Sequence, residues 1–169
     1  MKHILFCVAL LFLISLNGFS QTSASSADKE FQSFFDIGIG VGPNYGILGG
    51  KAVVGLNGTG LMIGIGSFDG MTTTSIGFQV TYESFFANLS VADYGSYEVS
   101  WPGFYEKGLV RGTVFIVGGK IGIGKEKKLY VDIGVGAAGG GETPSPFGNI
   151  EESVQLSLSA GLNYRIGSK

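Results

Sequence analysis

Five charged residues share predicted strand faces with small residues, and their types could form ion pairs. They are Asp36, Glu83, Lys120, Asp132 and Arg165. Because a buried charge is costly unless an opposite charge compensates it, we predict an interior charge cluster. In this cluster Asp36 meets Arg165, and Lys120 lies opposite Asp132. The alternative is that these side chains project into water at the strand ends and pair only weakly.

The imidazole and the thiol that nucleophilic catalysis most often uses are confined to the first twenty positions. His3 and Cys7 are the only histidine and cysteine of the chain. Residues 1–20 have Lys2, a short apolar core and a small-residue end, which predicts a cleaved signal peptide. A mature chain without histidine lacks the usual base for a serine or cysteine nucleophile.

Carboxylate chemistry stays formally open, although half of its candidates lie in or beside a predicted loop, where solvation is the ordinary outcome. The candidates are Asp36, Glu83, Asp132, Glu142, Glu151 and Glu152. We expect no enzyme, no catalytic residues, no metal site and no cofactor.

Glycine-rich motifs imitate nucleotide-binding loops without their context. Residues 134–139 fit G-x-G-x-x-G, but residues 140–146 cannot open the helix that a pyrophosphate needs. Residues 119–125 resemble a P-loop, but Glu126 stands where a metal-binding hydroxyl is required. Asn57 begins a glycosylation motif, and its Asn-Gly pair also favours a tight turn, which we prefer.

The elements that would position these residues are strands. Isoleucine or valine alternates with glycine at 37–42, 63–66, 121–124 and 133–136, and a period of two indicates extended chain. We predict eight strands, at residues 35–43, 46–56, 61–68, 73–84, 86–94, 108–124, 129–138 and 152–166.

The links between these strands alternate in length. Those at 57–60, 84–85 and 125–128 are short, whereas those at 95–107 and 139–151 are long; the link at 69–72 is intermediate. Glycine contributes 30 of 169 residues and charged residues only 14%, which is unusual for a soluble domain. We expect three regions: a signal peptide (1–20), a flexible lead-in (21–34) and a β-barrel (35–166).

The last predicted strand carries a resemblance to a known family. Gly161-Leu162-Asn163-Tyr164-Arg165-Ile166 looks like the C-terminal assembly signal of outer-membrane barrels: a glycine, an aromatic residue three places on and a hydrophobic residue two further on. Over residues 35–166 the chain resembles the small, eight-stranded outer-membrane β-barrel family of bacteria. The resemblance implies an antiparallel, up-and-down transmembrane β-barrel in the outer membrane, with short turns in the periplasm.

The expected function is structural or interaction-based, with loops exposed at the cell surface. The resemblance implies contact with outer-membrane lipid and with the barrel-assembly machinery through the C-terminal strand. We expect a monomer that binds no nucleic acid. In the predicted loop 95–107, Tyr97, Trp101 and Phe104 are candidate surface contacts, or belong to an aromatic girdle. The alternatives are a narrow porin-like passive channel for small solutes and a soluble secreted β-protein.

Overall fold

Eight antiparallel strands form a closed barrel, as expected. A computed structural model describes residues 32–142 and 154–167. Each strand pairs with its sequence neighbours, and the last pairs with the first. The all-β, up-and-down, eight-stranded barrel is therefore confirmed. The strands are β1 (Ser33–Gly42), β2 (Ile47–Leu56), β3 (Thr59–Phe68), β4 (Met71–Tyr82), β5 (Phe85–Trp101), β6 (Phe104–Ile123), β7 (Leu129–Glu142) and β8 (Gln155–Ile166).

The barrel has two unlike ends. At one end, here called the turn end, the links at 57–58, 83–84 and 124–128 join β2 to β3, β4 to β5 and β6 to β7. At the other, the far end, lie the β1–β2 link and the turns at 69–70 and 102–103. Ser33 begins β1 and Ile166 ends β8 at the turn end, since Phe35 pairs with Ile166.

The alternation in sequence separates an outer apolar face from an inner face. Side chains of successive strand residues point to opposite sides of the sheet. The outer face carries large exposed side chains on every strand: Phe35, Ile37, Ile39, Val41, Leu48, Val54, Leu56, Leu61, Ile63, Ile65, Ile76, Phe78, Tyr82, Phe85, Val91, Phe115, Val117, Ile121, Ile123, Leu129, Ile133, Val135, Leu156, Leu158, Leu162, Tyr164 and Ile166. Over these stretches no charged residue of the described chain takes an outward position.

The link between β1 and β2 folds into the barrel. Residues Pro43–Tyr45 form one turn of 3₁₀ helix, here called the inner turn, and all three are buried. Gly42 (φ 107°) and Gly46 (φ 60°) flank it in conformations that side chains disfavour, so the chain can reverse sharply at both sides. Pro43 suits the first position because its fixed φ is compatible with a helical turn.

The predicted loop at 95–107 is wrong. The chain there forms the ends of β5 and β6, and only Pro102 and Gly103 connect them. Seven residue pairs, from Gly95–Val110 to Trp101–Phe104, extend the hairpin beyond the irregularity at Asp93. At about 3.3 Å per residue this part is roughly 23 Å long. β7 likewise continues to Glu142, so the expected loop does not begin at residue 139.

Some predictions lie outside the described residues. The signal peptide over 1–20 and most of the lead-in over 21–34 are among them, as are Glu151 and Glu152. Ser33 and Phe34, which we assigned to the lead-in, belong to β1. No helix among residues 32–142 and 154–167 is both long and apolar enough to cross a membrane.

Candidate functional site

The carboxylate of Asp36 is the centre of a buried group near the turn end. Arg165 donates from Nε to Oδ1 at 2.7 Å and from Nη2 to Oδ2 at 2.8 Å. Tyr130 donates its hydroxyl to Oδ2 at 2.8 Å. The structure thus brings Asp36 and Arg165 together, across the β1–β8 seam where their Cα positions pair. A forked guanidinium–carboxylate contact of this kind is stronger than a neutral hydrogen bond.

Lys120 also contacts this group, although we expected it to face Asp132. Its Cα does pair with that of Asp132 in the sheet register. However, its Nζ lies 3.7 Å from Oδ2 of Asp36 and donates to Oγ1 of Thr81 at 3.1 Å. The four residues Asp36, Lys120, Tyr130 and Arg165 are called here the turn-end network.

A second buried group lies further inside, where Asp132 accepts from two partners. Lys51 Nζ is 2.5 Å from Oδ2 of Asp132, and both side chains are almost fully buried. The hydroxyl of Tyr45 donates to Oδ1 of Asp132 at 2.6 Å. Asn163 Nδ2 donates to the same hydroxyl at 2.8 Å. Tyr45, Lys51, Asp132 and Asn163 are called here the central network.

The central network exists because glycines make room for Tyr45. A Cβ added to Gly161 would lie 2.2 Å from the Tyr45 ring, and one added to Gly40 would lie 3.0 Å from it. Lys51 Nζ lies 4.5 Å from the centre of the same ring, a favourable cation–π distance. The inward glycines of the Ile-Gly repeat therefore accommodate the ring of the inner turn.

Phe86 is accommodated in the same way by glycines of β6 and β7. A Cβ on Gly118 would come within 2.7 Å of its ring, and one on Gly134 within 3.0 Å. Around it lies an apolar cluster of buried side chains: Phe86, Ala92, Val114, Ile116 and Ala138. The interior is filled by a few large residues, each placed against bare backbone.

Glu83 does not join the predicted cluster. It lies in the β4–β5 turn, where it is exposed and adopts a positive φ of 52°. No ion pair joins its carboxylate to a described residue. The reason is geometric: β4 ends at Tyr82, two residues short of our prediction, so Glu83 has left the inward-facing series.

Four interior residues escaped the sequence reasoning: Tyr45, Lys51, Tyr130 and Asn163. Lys51 carried a usable signal, because it is the only charged residue within the apolar stretch Ile47–Leu56. Tyr45 carried none, since a proline-containing link of three residues reads as an ordinary surface turn. The charged members of the two networks are three cations and two carboxylates, namely Lys51, Lys120 and Arg165 with Asp36 and Asp132.

The candidate surface residues lie on the long β5–β6 hairpin. Tyr97 is half-buried, donates its hydroxyl to Glu106 at 2.9 Å and lies across Gly108, whose added Cβ would be 2.6 Å from the ring. Phe104 is 42% exposed next to the connecting turn. The side chain of Trp101 lies outside the described set. The tyrosine therefore stiffens the hairpin as well as forming its surface.

Polar contacts hold the base of this hairpin against the rim. Asp93 accepts from the backbone N–H of Thr74 at 2.7 Å and lies 3.5 Å from Nε of Arg111. Lys107 pairs with Asp69 of the β3–β4 turn at 2.6 Å. These contacts restrain the direction in which the hairpin leaves the barrel.

The β6–β7 link at the turn end carries an exposed ion pair. Lys128 and Glu126 lie 2.9 Å apart in the β6–β7 link, and this hydrogen bond lowers the pKa of the Glu126 carboxyl. In the described chain, no group of three or more histidine, cysteine or acidic side chains is arranged to hold a metal ion.

Comparison with known proteins gives no relative from which a role could be transferred. No protein-family model matches the chain, and neither the curated proteins nor the solved structures contain a significant match.

Proposed function

We propose that this chain is a non-enzymatic outer-membrane β-barrel with a closed lumen, which serves as a rigid base for a hairpin at the cell surface. The observation that carries the proposal is the belt of exposed apolar side chains around all eight strands. Soluble monomers rarely expose a continuous apolar patch of more than a few hundred Å². A belt that closes on itself is favourable where lipid, rather than water, surrounds the barrel.

Strand length supports the same environment. β1, β2 and β3 have 10 residues each, and β4 and β8 have 12. Strands of about 9–11 residues, tilted by roughly 45°, cross a bilayer. The 17 residues of β5 and 20 of β6 exceed this length, so their hairpin would extend into the aqueous phase beyond the far end.

The filled interior supports a structural role over passive transport. The inner turn crosses the lumen, and Tyr45 is fully buried between β1, β7 and β8. The charged side chains below it bind one another, so they are engaged in holding the wall together. An eight-stranded barrel has an interior about wide enough for side chains alone.

The remaining parts of the proposal follow from its orientation. The turn end, with both ends of the barrel sequence, would face the periplasm, and the β5–β6 hairpin would face the outside. Export would use residues 1–20, and insertion would use the assembly machinery acting on β8. Outer-membrane lipid is the proposed surrounding of a monomeric barrel, and a surface partner would meet the hairpin around Tyr97 and Phe104.

Cell fractionation with gel electrophoresis tests the location. We expect the protein in the outer-membrane fraction, released only by detergent, with a faster band in unboiled samples. A protein that stays soluble without detergent and shows no mobility difference would overturn the proposal in favour of a secreted β-protein.

Planar-bilayer recording tests the closed lumen separately. We expect no steady conductance from the refolded full-length protein. Reproducible single-channel steps would instead support the narrow porin-like channel, while leaving the membrane location intact.

A further inference from the structure

Three buried asparagines differ in their hydrogen bonding. Asn44, Asn88 and Asn163 are each 1% exposed. Asn163 bonds with the Tyr45 hydroxyl through its amide. Both side-chain atoms of Asn44 and both of Asn88 make no hydrogen bond to any described residue. Buried amides are normally paired, so two such side chains require an explanation.

Two further buried atoms share this property and lie beside Asn88. They are Oε1 of Gln79 and Oγ of Ser90. Gln79 is the direct register partner of Asn88 across the β4–β5 pair, and Ser90 is the next inward residue on β5. Four unpaired atoms therefore lie together on the β4–β5 wall.

The backbone of Asn44 contacts the β4 side of this wall from the inner turn. Its backbone carbonyl accepts from Ser75 Oγ at 3.3 Å, and Ser75 lies on the same inward face of β4 as Gln79. The inward residues of β4 from Thr73 to Thr81 are threonine, serine, glycine, glutamine and threonine. A polar stripe thus runs along β4 from the inner turn toward the turn end.

The stripe continues to an opening at the turn end. Gln79 Nε2 donates to Thr81 Oγ1 at 3.1 Å, and Thr81 lines a cavity of about 260 Å³ there. Asn57, Glu83 and Arg165 line the same cavity. The polar stripe therefore meets this turn-end cavity at Thr81.

At its other end the polar stripe meets the inner turn. Thr73 Oγ1 donates to the carbonyl of Gly46 at 2.5 Å, which fixes the inner turn to β4. The apolar cluster around Phe86 and Ile116 borders the stripe on the β6 side. The polar stripe ends beneath the inner turn.

We infer that the β4–β5 wall forms a blind-ended inlet, which binds internal water molecules between Gln79, Asn88, Ser90 and Asn44. Water is the ligand because the unpaired atoms include both donors and acceptors and carry no charge. Internal water typically makes about three hydrogen bonds to otherwise unpaired buried groups; this wall offers four such atoms, and Asn44 on the inner turn offers two more. A cation is disfavoured because three interior cations, Lys51, Lys120 and Arg165, already outnumber the two carboxylates that they pair with, Asp36 and Asp132.

This inference depends on the barrel interior and not on the membrane location. It also goes beyond a closed lumen, because it assigns internal water to the β4–β5 wall, whereas the side chains of the central network bond one another directly. Lipid, detergent or nanodisc samples of the full chain are equally suitable for testing it.

Water-contact NMR on the full-length protein tests the inlet with an internal control. We expect cross-peaks between long-lived water and the side-chain NH₂ groups of Asn44 and Asn88. Asn163 is the matched control, since it is equally buried and is bonded to Tyr45; its cross-peak should be at least about threefold weaker. Absence of water contacts at Asn44 and Asn88, or equal intensity at Asn163, would overturn the inference.

A substitution at Asn88 gives a second test, which compares the water signal at Asn44 between variants and not between different asparagines. Asn88→Leu removes two of the polar atoms, so the water cross-peak at Asn44 should fall by about half or more. Ser67→Ala removes an exposed, outward-facing hydroxyl on β3 and should leave the Asn44 signal unchanged. An Asn44 signal that responds equally to both substitutions, or to neither, would contradict a localised inlet.

Discussion

Removing Lys51 should be one of the most destabilising single changes in the interior. Lys51→Met deletes the ammonium that lies 2.5 Å from Asp132, in a pair whose side chains are 1% and 2% exposed. The remaining carboxylate would keep only the hydroxyl of Tyr45 at 2.6 Å. Breaking a buried ion pair by removing one partner costs about 3–5 kcal/mol. Since 1.4 kcal/mol is a factor of ten, the unfolding equilibrium constant should rise by roughly two to three and a half powers of ten.

Lys120→Met is the matched control, because the carboxylate near Lys120 keeps other strong partners when the lysine is removed. Lys120 shares Asp36 with Arg165, which binds that carboxylate through two hydrogen bonds, and with Tyr130. Asp36 would stay compensated, so this variant should lie within about 1 kcal/mol of the parent. Urea unfolding from phospholipid vesicles, followed by heat-dependent gel mobility, measures both.

The double variant Lys51→Met/Asp132→Asn examines the cause of the effect. If the loss comes from an uncompensated carboxylate, neutralising Asp132 should restore at least half of the lost free energy of unfolding. Equal destabilisation by Lys51→Met and Lys120→Met would refute the reasoning, as would a double variant no more stable than Lys51→Met.

Three other predictions follow from the packing. Gly161→Ala should lower the free energy of unfolding by more than about 2 kcal/mol because the new methyl group would meet the Tyr45 ring, whereas Gly50→Ala, with its nearest atom at 3.6 Å, should have little effect in the same urea assay. Tyr45→Ala should make the silent barrel conduct in planar bilayers, and continued silence would show that other residues close the lumen. In the proposed membrane, Ile63→Arg should lower the free energy of unfolding by about 2–4 kcal/mol, and Thr59→Arg at the turn end by about 0–1 kcal/mol. Equal losses from the two substitutions would contradict contact between lipid and the apolar outer face.

The strands were predictable because their determinant is local. The alternation of isoleucine with glycine assigns each residue to one face of a strand, and this needs no knowledge of the neighbouring strands. The meeting of Asp36 and Arg165 was predictable for a related reason, since closing an even-stranded barrel makes its first and last strands adjacent. Both residues lie a few positions from the same end of those strands.

The central network was not predictable, because it depends on the direction that one link takes in three dimensions. Pro43 to Tyr45 is equally compatible with an external turn, and only the space left by Gly40 and Gly161 turns it inward. The β5–β6 hairpin was wrongly predicted as a loop because its local composition is misleading. Polar residues such as Glu98, Ser100 and Glu106 resemble a loop, although cross-strand pairing keeps them extended.

The inner turn ties early and late parts of the chain together. Tyr45 contacts residues 87 and 118 positions further on, and Arg165 and Asp36 are 129 positions apart. Contacts between such distant residues form slowly, because loop closure must precede them. Before β8 pairs, Asp36 lacks the guanidinium of Arg165, and Tyr45 lacks its contacts with Gly161 and Asn163. Closure of the barrel therefore depends on the last strand. Chains that lack β8 should fail to form a closed barrel, and they should not form a smaller one.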